Sequence, residues 1–344
     1  MSLVRSEDIQ YKLDEINNIL GKKYVKEHPE KERNWRTYES EFSHRIKTAM
    51  KELDPLIEKA VSIMHIIKGP GHPHLLSLAQ RVKLILIKQL VGESNRMFVN
   101  MLDIFSMLSG IDVSYKTIER LHSDNEVAMA IFNLHVLMLR NIANSDATGD
   151  GTGYSLTVKK NYESYAQRLK DLAKENKDIG NKDHKNKKTK GHRKRLFAYS
   201  FSIMDLKTRM YIASGTSMKS ERNAYDNAMR MINKIGINID SIRLDRYYSS
   251  PSYIDKLGNT KVYIMPRKNS TLRGSYKWKS IIREFLNDTM NYLEKYHKRS
   301  NSESGFAADK KMLGWNMAQR RDDRISNALL CTDVWHNLFN IGRY

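Results

Sequence analysis

The sequence predicts a mixed α/β domain preceded by an all-helical region. Three observations carry this expectation. Apolar residues recur at helical spacing through residues 1–140. After Asn144 the period shortens to the alternating or continuous apolar runs of strands. Strands and helices then follow one another through residues 141–344, the pattern of a mixed sheet covered by helices.

In the helical region, "SEDIQYKLDEINNIL" carries a Ser start and apolar residues at helical spacing. "HRIKTAMKELDPLIEKAVSIMHIIKG" is similar, with an interruption expected at Pro55 and a stop at Gly69. "GPGHPHLL" is a turn, and its His72 and His74 read as loop histidines because no third metal ligand is nearby. "HLLSLAQRVKLILIKQLV" is a further helix. Met97 to Ser109 is apolar-periodic, Gly110 can stop it, and Ser114 can cap a second helix through Leu121. Residues 97–121 thus outline a helix-turn-helix that would offer Tyr115, Lys116, Glu119 and Arg120 to a DNA groove. Many packed helical pairs share that outline, so plain helical packing is the competing reading.

Charge points to the partner. Among 344 residues there are 59 Lys+Arg against 39 Asp+Glu, a net charge of +20. Such a field gathers polyanions, nucleic acid first. No run of about 18 apolar residues appears, nor a lipidation motif or signal peptide. The single cysteine, Cys331, excludes an internal disulfide and a Cys-rich zinc site. A cytoplasmic protein associated with the nucleoid, with no membrane partner, is expected.

In the second region, "LFAYSFSIMD" and "TRMYIASGTS" read as neighbouring strands with Asp205 in the turn between them. "SERNAYDNAMRMINKIG" is a helix with a Gly stop, "IDSIRLD" a strand, "SPSYIDKLG" a helix and "KVYIMPRK" a strand. "YKWKSIIREFLNDTMNYLEKYHKR" reads as one long helix, with Trp278 in the core in preference to a base-stacking role. Between strands, residues 178–195 form a basic loop whose "KDHKNKKTKGHRKR" holds eight Lys/Arg. Lys187, Lys188 and Arg193 in it are candidates for phosphate contact, against a merely solvated loop.

Acidic residues supply the chemistry. Asp245 stands at the end of a predicted strand, and Asp146 and Asp150 flank "DATGD". A carboxylate at a strand's C-terminal end is where α/β sheets carry chemistry. "YHKRSNSESGFAADK" places Tyr296, Arg299, Glu303 and Lys310 at steps of three, four and seven, one face of a helix. A polar stripe there either lies in solvent or serves a site. Three carboxylates from separate elements can hold two Mg²⁺ (or Mn²⁺) ions about 3.5–4 Å apart, which activate water and stabilise a leaving oxygen at phosphorus. Arg299 and Lys310 beside Glu303 would neutralise phosphate.

Tyr-x2-Arg-x3-Glu-x6-Lys resembles the signature around the third acid of insertion-sequence transposases of the DDE type, all four positions matching. "RLDRYYSS" resembles the family's second-acid segment and "DATGDGTGYSL" its first. The resemblance spans about Ile142 to Trp335 in the family's order. It implies an RNase H-like catalytic domain, acids Asp146, Asp245 and Glu303, and a two-metal endonuclease and strand transferase. DNA contact would come from Tyr296, Arg299, Lys310, Lys116, Arg120 and the basic loop. The partners implied are double-stranded DNA, as element ends and target, and a second copy of the chain. The first acid has two candidates, because Asp146-Ala-Thr-Gly and Asp150-Gly-Thr-Gly both fit. Asp146 is preferred, since "RNIANSD" is the better strand, which leaves Asp150 in a hairpin turn. Two other classes share these features: a structure-specific nuclease without strand transfer, and an inactive DNA-binding relic.

Overall fold

The computed structural model describes residues 6–27, 34–66, 74–92, 95–109, 111–156, 197–267 and 270–341. The basic loop with Lys187, Lys188 and Arg193, and also Gly69, His72 and Gly110, lie outside the described residues.

Among the described residues six helices come first: α1 (Ser6–Glu27), α2 (Trp35–Ser62), α3 (Leu78–Val91), α4 (Asn95–Ser109), α5 (Tyr115–Leu121) and α6 (Asn125–Met138). Local chemistry sets their ends. Asn34 caps α2, a reciprocal Ser77–Gln80 box opens α3, and left-handed Gly92 closes it. Ser114 caps α5 through the Thr117 amide, and the Asp124 carboxylate caps α6. The interruption expected at Pro55 does not occur, and α2 continues through it. Buried Leu53, Ile57 and Ala60 hold both sides of the proline, so packing offsets the lost backbone hydrogen bond.

The sheet follows: β1 (Asn144–Leu156), β2 (Phe197–Asp205), β3 (Tyr211–Ser217), β4 (Asn238–Leu244) and β5 (Lys261–Ile264), in the spatial order β3-β2-β1-β4-β5. β1 and β3 run antiparallel to β2, while β4 runs parallel to β1 and β5 to β4. A short β6 (Asn316–Met317) extends the far end of β1. Among the described residues the α-helices that follow are α7 (Glu221–Ile235), α8 (Pro251–Ile254), α9 (Tyr276–Asn287), α10 (Thr289–His297), α11 (Ser300–Leu313) and α12 (Asp322–Asn340). α7 lies against β3 where Gly215 has no side chain; a Cβ there would strike the backbone of Ala224 and Ala228.

Two further expectations fail for identifiable reasons. No turn separates Asp146 from Asp150, which both lie within the 13 residues of β1. The glycines that read as a turn serve close approach instead. A Cβ at Gly149 would meet Phe201 and Leu244, and one at Gly151 would meet the Glu221 carboxylate. The long helix over 276–299 is also broken, at Asp288 (φ −143°, ψ 70°). Its carboxylate accepts from the Asn291 amide and starts α10 afresh.

Packing ties the regions together. Leu53, Val82, Ile85, Leu86, Ile131 and Leu134 form a core with Val334, Trp335 and Leu338 of α12. Trp335 Nε1 donates to the Leu86 carbonyl at 2.7 Å. The other side of α12 meets β3: the Asn337 amide accepts from the Tyr211 N–H (2.7 Å) and donates to its carbonyl (2.9 Å), like an added strand. α1 packs its Leu13, Ile16 and Leu20 on the sheet's own core and pairs Lys23 with Glu294 of α10. Among the described residues no helix is long and apolar enough to cross a membrane.

Candidate active site

Strand register decides which carboxylates meet. β1 and β4 pair in parallel, with Asp146 beside Ser241, Thr148 beside Arg243 and Gly149 beside Leu244. One step further, Asp150 stands beside Asp245, just past the end of β4. Adjacent strands are about 4.8 Å apart, so these two acids are neighbours, whereas Asp146 lies about 13 Å back along β1.

The third acid comes from α11, whose first turn holds Glu303. Arg299, the residue before α11, reaches all three. Its Nη1 is 3.2 Å from Asp150 Oδ2 and 3.7 Å from Asp245 Oδ1, and its Nη2 is 2.7 Å from Glu303 Oε1. Each carboxylate is also held locally. The Gly151 amide donates to Asp150 at 2.9 Å and the Tyr247 amide to Asp245 at 3.1 Å, where Asp245 caps a short turn. Thr148, between Asp146 and Asp150 on the same face of β1, lies 3.4 Å from Ser302 Oγ of α11.

Burial shapes the electrostatics. Asp150 is pushed up to about 6, first by burial, with the nearby Asp245 and Glu303 charges adding to it. Hydrogen bonding from Gly151 and the Arg299 charge oppose the rise without cancelling it. Arg299 is held above its ordinary range: burial works against its charge, but Tyr296, Glu303 and Asp150 outweigh that.

Asp146 belongs elsewhere. It accepts from Ser241 Oγ at 2.5 Å and lies 3.7 Å from Arg243 Nη1. Arg243 in turn stacks over Tyr263, 5.0 Å from the ring centre. Asp146 faces a cavity of about 820 Å³ between α1 and the α10–α11 junction, away from the other acids. Register and the Arg299 contacts thus place Asp150, the alternative first-acid candidate, in the cluster with Asp245 and Glu303, and leave the preferred candidate Asp146 outside it.

The polar stripe of the sequence is real but does not serve one purpose. Tyr296 is buried at 8 % exposure, its hydroxyl held above its usual range first by burial. It packs beside Arg299 and offers little surface. Lys310 Nζ donates to Thr152 Oγ1 at 2.6 Å and lies 5.2 and 5.1 Å from the ring centres of Tyr154 and Trp315. Burial lowers its ammonium below the ordinary range. Thr152 and exposed Trp315 escaped sequence reasoning; the period of two from Asp150 to Thr152 was the signal for the first. Trp278 is core, donating Nε1–H to the Thr271 carbonyl at 2.8 Å. Asp205 closes the β2–β3 turn by accepting from Thr208.

On α5, Lys116 and Arg120 are exposed, while Ile118 and Leu121 face inward. Glu119 is not free for a groove, because it pairs with Arg324 of α12.

Oxygen-only donors suit a hard divalent ion such as Mg²⁺ or Mn²⁺. Among the described residues no three acidic, imidazole or thiol groups already close on one point as an ion's ligands would. The Arg299 guanidinium, hydrogen-bonded to Asp150 and Glu303 and 3.7 Å from Asp245, brings positive charge to all three carboxylates and marks the cluster as suited to a cation.

No family model matches the chain. Over 298 residues it is 39% identical to a protein of Archaeoglobus fulgidus described as the probable transposase for insertion sequence element ISA1214. The match covers 86% of this chain and 85% of that relative.

Proposed function

The chain belongs to the insertion-sequence transposases, and from that premise we propose that it cuts the ends of its element and joins them to target DNA at the Asp150–Asp245–Glu303 cluster. The observation that carries this reading is the convergence of three carboxylates, from β1, the end of β4 and α11, on the one guanidinium of Arg299. The sheet supports an RNase H-like assignment of the DDE type. Its first strand is central, three strands are antiparallel, two more run parallel, and the acid lies within that first strand.

In this reading Asp150, Asp245 and Glu303 would hold two Mg²⁺ or Mn²⁺ ions, which supply an activated water and charge stabilisation at phosphorus. Arg299 would leave the carboxylates as the ions bind and turn its fork to DNA phosphate. Lys310, whose described partners are a hydroxyl and two rings, would meet a phosphate beside the cut. Lys116, Arg120, Lys187, Lys188 and Arg193 would contact the duplex backbone, and two copies would act on the paired ends. A net charge of +20 suits work on DNA in the cytoplasm.

The test is strand transfer by wild-type protein and Glu303→Gln on a labelled duplex carrying the element's own end. Joined product formed only by wild type with Mg²⁺ supports the transposase reading. Hydrolysis without joining would make the protein a nuclease, and binding without cutting would make it a relic.

A further inference from the structure

We propose that Asp309, His336 and Tyr211 form a buried positioning unit that sets the angle of α11, and with it the direction in which Glu303 projects. The inference rests on the proposed role of Glu303.

Asp309 lies six residues after Glu303 on α11 and is 4 % exposed. Its Oδ1 is 2.7 Å from His336 Nδ1 of α12, and its Oδ2 accepts from the Tyr211 hydroxyl of β3 at 2.7 Å. The other ring nitrogen, Nε2, is 2.8 Å from the Arg209 carbonyl. Both partners of the imidazole offer oxygen acceptors, which favours the doubly protonated ring. Burial alone would lower His336, but the Asp309 charge outweighs it and holds the ring above its ordinary range. Tyr211 stacks on His336 with ring centres 3.8 Å apart, which fixes the imidazole plane.

The same seam brings α11 unusually close to the sheet. A Cβ at Gly305, two residues from Glu303, would stand 3.1 Å from Met204 Cε and 3.1 Å from the Tyr211 hydroxyl. The face opposite Glu303 is thus fixed at Ser302, Gly305 and Asp309. A change at Asp309 would turn the helix about that line. A misplaced ligand weakens an ion site before it weakens a fold, because ligand geometry is the stricter requirement. α12 also carries Trp335 in the helical core, so the unit links that core to the helix of Glu303.

The experiment is Mn²⁺ binding to the full chain without DNA, read by the electron paramagnetic resonance of free Mn²⁺, beside duplex binding in EDTA. Wild type should bind Mn²⁺. Asp309→Asn, Tyr211→Phe and His336→Gln should bind it about tenfold more weakly while holding duplex as wild type does. The double variant Asp309→Asn/His336→Gln should lose little more than either single one, since the residues act as a unit. Should Asp309→Asn not fold, Tyr211→Phe removes a single hydroxyl and carries the same comparison. Unchanged Mn²⁺ affinity in the folded variants overturns the positioning unit and leaves the active-site reading standing. No Mn²⁺ binding by wild type overturns both.

Discussion

Arg299 donates to Asp150 across 3.2 Å, from the residue before a helix to the middle of the central strand. Four residues back on that strand, Asp146 is held by Ser241 and Arg243. Two aspartates of one strand are thereby assigned to different arginines. Only one of those arginines also reaches Asp245 and Glu303.

Arg299→Ala leaves three neighbouring carboxylates with no cation between them. Like charges at that spacing destabilise the fold, by about 1–3 kcal/mol for a part-buried network. Thermal melting in EDTA should show the loss, and millimolar Mg²⁺ should restore most of it. Equal melting of variant and wild type in EDTA would contradict the electrostatic account.

Asp150 predicts a pH dependence. Its folded value, about 6, lies above the unfolded value near 3.8, so between them the folded state binds more protons. Taken alone, this carboxyl adds stability as pH falls from about 6 toward 3.8, and withdraws it above. Ion binding needs the carboxylate, so Mg²⁺ affinity should weaken as pH drops through about 6. Asp150→Asn should raise the melting temperature of the metal-free protein by about 2 °C or more, and titration calorimetry should find its Mg²⁺ binding lost.

Lys310→Gln should keep the fold and reduce duplex binding mainly at low salt. The slope of log affinity against log salt should fall by about one. An unchanged slope would place Lys310 away from phosphate.

Gly215→Ala tests the packing of α7. The added carbon meets backbone at Ala224 and Ala228, which cannot step aside as a side chain can. A loss of about 3 kcal/mol or more is expected in urea unfolding.

How much of this was written in the sequence depends on the kind of information required. Period revealed α3 and α7, and period with the Ser114 cap revealed α5, because such signals act within one turn of the chain. The spacing of Arg299, Glu303 and Lys310 was equally local, and α11 carries it. The choice between Asp146 and Asp150 was not local. It depends on the register of β4 against β1 and on the side chains of Phe201, Leu244 and Glu221 that fill space over Gly149 and Gly151. Glycines beside Asp and Thr read as a turn until those neighbours are known. Pro55 likewise reads as an interruption until the helices flanking α2 are in place. The burial of Tyr296 and the docking of α12 on Tyr211 are tertiary facts with no signal in their own segments.

The most direct measurement compares Asp150→Asn with Asp146→Asn in Mg²⁺-dependent cleavage of a labelled element end, with EDTA as the blank. Loss of cutting in Asp150→Asn, with most of it kept in Asp146→Asn and both proteins still binding the duplex, is the predicted result. Cutting kept by Asp150→Asn and lost by Asp146→Asn would contradict the assignment of the acid cluster.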